Sequence, residues 1–108
     1  MPTLQETSNC IESNSLNHVL IIHDVVDYAA WKRVFDAAAM MRKAAGEQTY
    51  QVLRYEADAH RIVHFSAWSS HENAKRFFQS PELETIRRQA GVRSPDFIYL
   101  NQLETGVL

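Results

Sequence analysis

The sequence predicts an α+β domain of the ferredoxin-like kind: a βαββαβ chain with a four-stranded antiparallel sheet and its helices on one face. Three observations predict it. Four short runs rich in β-branched and aromatic residues are spaced along the chain. Helical patterns separate the first run from the second and the third from the fourth. The second and third runs are joined by a gap short enough for a hairpin.

The first strand is read at residues 18–25. Asp27 is an N-cap candidate, and Tyr28, Trp31, Val34/Phe35, Ala38 and Met41 follow at helical spacing until Gly46 stops the helix. Lys32, Arg33, Asp36 and Arg42 fall mostly on the opposite face. Residues 49–56 and 61–68 form the hairpin, with Asp58, Ala59 and His60 as its turn. Ser70 caps a helix over 71–79, and Pro81 is placed to open another over 82–89, which Gly91 closes. The last strand spans 96–103. The domain is read at 17–105, behind a polar, flexible tail at 1–16.

Helices on one face leave the other face of the sheet wet in a monomer, and polar alternation should follow. Instead both faces are apolar. Val19, Ile21 and Val25 oppose Leu20 and Ile22; Val63 and Phe65 oppose Ile62 and Trp68; Phe97 and Tyr99 oppose Ile98 and Leu100. Such a sheet is an association surface, and a homodimer packed face to face through its sheets is the expected partner arrangement. The alternative is a monomer whose N-terminal tail covers that face.

The 108 residues fit one domain. A formal net charge of -2, with Arg42-Lys43 and Arg87-Arg88 the only adjacent basic pairs, predicts no nucleic-acid partner. No apolar stretch is long enough to span a bilayer, so no membrane is expected, and without a secretory signal the expected location is cytoplasmic. The single cysteine, Cys10, suits a reducing compartment or simply the absence of any structural demand for a disulfide.

The runs HDVVDYAAWKRVFD, RKAAGEQTYQVLRYEAD, FSAWSSHENAKRFFQSPEL and PDFIYLNQLE together resemble the dimeric α/β-barrel superfamily, and within it the antibiotic-biosynthesis-monooxygenase-like domains. The resemblance rests mainly on the Asp-Tyr-x-x-Trp opening of the first helix and on the Trp-x-Ser-x-Glu-x-Ala element after the third strand. It covers residues 17–104. It implies a cleft between helices and sheet that is open at one end, and a small hydrophobic or aromatic ligand. In the monooxygenase branch a polar side chain on the third strand, a Trp and an Arg on the later helix do the chemistry. The matching residues are His64, Trp68 and Arg88, although a tyrosine of that branch is Ala74 here. Ser66 shares their strand face, His23 is expected near His64 from a parallel neighbouring strand, and Trp31 and Phe77 line or close the pocket.

The resemblance therefore implies a cofactor-independent monooxygenase-like enzyme, with His64 as acid/base and Arg88 stabilising an anion; His23, Trp31, Ser66, Trp68 and Phe77 contact substrate. Other branches fit less well. The axial histidine of the haem-degrading branch is missing from Arg76-Phe77-Phe78, so no haem is expected. Phe77 and Leu83 stand where a cyclase branch uses Tyr and His. No metal is expected either: His60 and His64, four apart on a strand, are about 13 Å apart and cannot chelate one ion. The alternative function is a non-catalytic small-ligand-binding or stress-related dimer. His18 and His60 are expected to face solvent, and His71 has no evident partner.

Overall fold

The computed structural model describes residues 17–108; the tail at 1–16, with Cys10, lies outside them. The elements are β1 (Asn17–Val25), α1 (Tyr28–Ala37), α2 (Ala39–Ala45), β2 (Glu47–Tyr55), β3 (Asp58–Trp68), α3 (His71–Phe78), α4 (Pro81–Gln89) and β4 (Val92–Asn101). This is the ferredoxin-like order, with each helical connection split in two. The sheet runs β2-β3-β1-β4, and every neighbouring pair is antiparallel. That corrects the expected parallel pairing of β1 with β3. The helical crossover leaves β1 and β2 running the same way, and the hairpin then reverses β3 against both.

Helix starts follow their caps. Asp27 Oδ2 accepts from the Ala30 N–H at 3.1 Å, Ser70 Oγ from Asn73 at 3.0 Å and Ser80 Oγ from Leu83 at 3.3 Å. Each such cap contributes roughly 1 kcal/mol. The expected single first helix breaks at Ala38 (φ -92°, ψ 7°). Arg42, expected on the outer face, turns inward there and donates from Nη1 to the carbonyl of Phe35. Gly46 ends α2 at φ +127°, and a Cβ on it would stand 2.5 Å from Ser69 Oγ.

The hairpin turns at Glu56 and Ala57; Asp58, Ala59 and His60, expected as the turn, already belong to β3. Two irregularities in register matter for the site. Glu47 pairs with Trp68 but Thr49 with Ala67, so β2 carries one extra residue at its start. Ile22 pairs with Asp96 but Asp24 with Arg93, so β4 carries one beside Ser94 and Pro95. Ser94 has φ 47°, and Pro95 has no N–H to give to a ladder, which suits an edge strand.

Val19, Ile21, His23 and Val25 of β1 and Ile62, His64, Ser66 and Trp68 of β3 are buried beneath the helices. They organise two apolar clusters. One gathers Val19, Ile21, Trp68, Ala74, Phe77, Phe78 and Leu83; the other gathers Val25, Trp31, Phe35, Ile62 and Ala90. On the opposite face, register aligns Leu53, Val63, Ile22 in one row, with Phe65, Leu20 and Ile98 in the next. Leu53, Ile98 and Leu100 are exposed, so this face is apolar and not covered by any of the described residues. Among the described residues no helix is long and apolar enough to cross a membrane.

Candidate functional site

Between the two apolar clusters, under the helices, lies a small, partly open cavity of about 60 Å³. That is well below the roughly 300–1,000 Å³ of small-molecule clefts. Trp31, Phe35, Phe77, Phe78 and Phe97 supply aromatic walls, and Ile21, Val34, Leu83, Ile86 and Val92 fill between them. Four side chains bring polar chemistry to this lining: His23, His64, Arg42 and Arg87. Of the residues singled out in the sequence, His23, His64, Trp31 and Phe77 meet here.

His64 is the best-held of these groups. It is 3% exposed, and its Nε2 lies 2.7 Å from Glu47 Oε2. The other Glu47 oxygen receives Arg42 Nε–H at 2.5 Å, and both partners are also buried. The Arg42 guanidinium lies 3.7 Å from the centre of the Phe35 ring and 5.3 Å from that of Tyr50. A buried ion pair is tolerable only with such complete hydrogen bonding, because each charge alone would cost several kcal/mol (on the order of) to desolvate. Glu47 and Arg42 were both missed in the sequence. Simple alternation from Tyr50 places Glu47 on the outer face, and the extra residue in β2 reverses it.

His23 sits opposite the β4 irregularity. It is 5% exposed, with Trp31 tilted across it at 5.4 Å between centroids. Its Nδ1 is buried without a hydrogen-bond partner among the described residues. Burial foremost, then the electrostatic influence of His64 and Arg87, push its pKa down to about 3, so it is a neutral imidazole at physiological pH. An unpaired buried nitrogen facing a cleft is costly unless something binds it.

The later helix contributes an arginine, but one residue earlier than expected. Arg87 lines the cavity, donates to the Phe78 carbonyl at 3.0 Å and lies over Phe97. Desolvation lowers its pKa, only partly offset by Glu84. Arg88, expected in the site, does not line the cavity; its side chain is 72% exposed and stands 3.8 Å from Glu84. Neighbours on a helix point about 100° apart, so only one of the pair can face inward. Ser66 and Trp68 are also placed differently from expectation. Trp68 Nε1 donates to Ser66 Oγ at 2.8 Å, and both are buried in the core, where Trp68 packs on Phe77 and Phe78 outside the cavity lining.

The remaining histidines hold structure together. His60 Nδ1 is 3.0 Å from the Val25 carbonyl, and His18 stacks on Phe65. His71, for which the sequence showed no partner, has Nε2 2.8 Å from the Leu100 carbonyl. Among the described residues no three His, Cys, Asp or Glu side chains converge as a metal site.

No protein-family model and no curated protein matches the chain. Solved structures do. SnoaB, a cofactor-independent oxygenase from Streptomyces nogalater, superposes with a TM-score of 0.69 at 15% identity, over 84% of this chain and 96% of that one. The ActVA-Orf6 monooxygenase of Streptomyces coelicolor, solved with nanaomycin D, gives 0.61 at 14% identity over 88% and 93%. The chain shares its fold with these proteins. A dimeric ferredoxin-like protein from an uncultured marine organism shares the fold at a TM-score of 0.58 and 11% identity, over 90% and 96%. The likeness in all three is one of fold.

Proposed function

We propose that the cleft oxygenates a small phenolic or anthrone-like aromatic without a cofactor. The observation that carries this reading is an aromatic cleft with three polar groups in distinct states among the described residues: His64 oriented by a carboxylate, His23 neutral and unpaired, and Arg87 without a carboxylate within ion-pair distance. His64 takes a proton from an activated ring CH₂ of the substrate. Arg87, in place of Arg88, stabilises the resulting enolate or phenolate oxygen, and His23 hydrogen-bonds a second oxygen. The carbanion passes one electron to O₂, and the two radicals combine to form a C–O bond. The peroxide takes the proton back; the second C–H bond then breaks as the O–O bond does, forming C=O, and the departing hydroxide takes that proton and leaves as water. CH₂ plus O₂ becomes C=O plus H₂O. The protein's relatives in fold that are named cofactor-independent oxygenases support this reading.

The uncovered apolar sheet face and the dimeric neighbour support a homodimer joined through that face. A second reading, a dimer that only holds an apolar ligand, draws on the apolar lining of a cavity of only about 60 Å³. An oxygen electrode separates the two. With dithranol, an anthrone, the protein should consume one O₂ per molecule and release the quinone, and His64→Ala should slow this by about 10²-fold or more. Binding without oxygen uptake supports the second reading. Uptake that is unchanged in His64→Ala removes His64 as the base.

A further inference from the structure

We infer that Glu47 is the positioning residue of His64: charge-balanced by Arg42, it holds the imidazole as the Nε2–H tautomer and leaves Nδ1 as the lone-pair nitrogen. The inference rests on reading His64 as the base, but its geometry stands independently. Glu47 accepts from Arg42 Nε at 2.5 Å and faces His64 Nε2 at 2.7 Å, with all three side chains buried. Arginine has no acceptor, and a carboxylate beside it has no proton to give. The proton between Glu47 and His64 must therefore belong to the histidine. Among the described residues no protein group bonds Nδ1. Phe35 meets the ring at 4.9 Å and 89°, and Tyr50 at 6.3 Å and 78°, so the ring plane is fixed as well.

A purely structural role also accounts for burial of the pair, since Arg42 ties the carbonyl at the end of α1 to the start of β2. That role predicts nothing about a tautomer. The positioning role predicts an inversion. In Glu47→Gln the amide oxygen must serve Arg42, which only donates, and this turns the NH₂ toward His64. Nε2 must then accept, and the ring proton moves to Nδ1.

Nitrogen NMR of the ¹⁵N-labelled full chain reads this directly. Wild-type His64 should show a protonated Nε2 and a bare Nδ1; Glu47→Gln should show the reverse; Glu47→Asp should keep the wild-type state. With dithranol and O₂ as the probe reaction, kcat should fall about 10²-fold in Glu47→Gln at unchanged KM, and Glu47→Asp should recover most of it. A wild-type Nδ1–H tautomer overturns the inference by itself, even if the Gln variant does not fold. An unchanged tautomer in folded Glu47→Gln also overturns it, as does full turnover despite inversion, which leaves the oxygenase reading intact. Inversion in a protein that turns over nothing supports the control of the tautomer and sinks the oxygenase reading instead.

Discussion

Burial in the floor of the cleft, beside His64 and Arg87, lowers the pKa of His23 to about 3 against an ordinary 6.5. The sign of its effect on stability follows. In the unfolded chain the imidazole takes a proton near pH 6.5, while in the fold it stays neutral until about pH 3. Between those values the unfolded state binds more protons, so this stability is whole above 6.5 and is lost as pH falls toward 3. The slope is on the order of 1 kcal/mol per pH unit. The urea midpoint should drop between pH 7 and pH 5 in the wild type, and the drop should shrink in His23→Leu. Equal drops in both would show that His23 is not the group responsible. At this scale the sequence exposes some residues and hides others. His23 and His64 stand out because a mid-strand histidine alternates with aliphatic residues, and Trp31 follows from its helical spacing. Arg87 and Arg88 are chemically alike, and only the phase of α4 against the sheet distinguishes them. Glu47 depends on a bulge, which leaves no mark in the pattern of apolar residues.

Among the elements, the sheet has two apolar faces with different fates. One is closed by four short helices; the other presents Leu20, Ile22, Val63 and Phe65, with Leu53, Ile98 and Leu100 exposed around them. A charge at the centre of that second face should abolish a sheet-to-sheet dimer without touching the cleft, because strand neighbours point to opposite sides. Phe65→Lys is accordingly expected to convert a dimer into a folded monomer by sedimentation velocity at micromolar concentration. A wild-type protein that sediments as a monomer contradicts the arrangement, and so does a Phe65→Lys variant that remains dimeric. Strand and helix order are legible because period and punctuation agree along the chain. The break at Ala38 is not, since no Gly or Pro marks it. It depends instead on Arg42 turning inward to take the Phe35 carbonyl.

For the molecule as a whole, the split βαβ order places β1 and β3 side by side at the centre of the sheet, and this brings two histidines distant in sequence to one cleft floor. The direction of those strands decides how they meet. Antiparallel pairing sets His23 opposite Ile62 and His64 opposite Ile21, so the imidazoles lie diagonally across one face. Trp68 and Ser66, aligned with His64 along β3, run on into the core beyond the cavity, which a strand pattern alone does not show. The central claim is that this cleft, and not the open sheet face, is where an aromatic ligand reacts. A crystal structure with 1,8-dihydroxyanthraquinone, the quinone expected from dithranol, tests it most directly. The ring system is expected between Trp31 and Phe77, with its oxygens against His23, His64 or Arg87. Density for the quinone on the Leu20–Phe65 face, with the cleft unchanged, would contradict it.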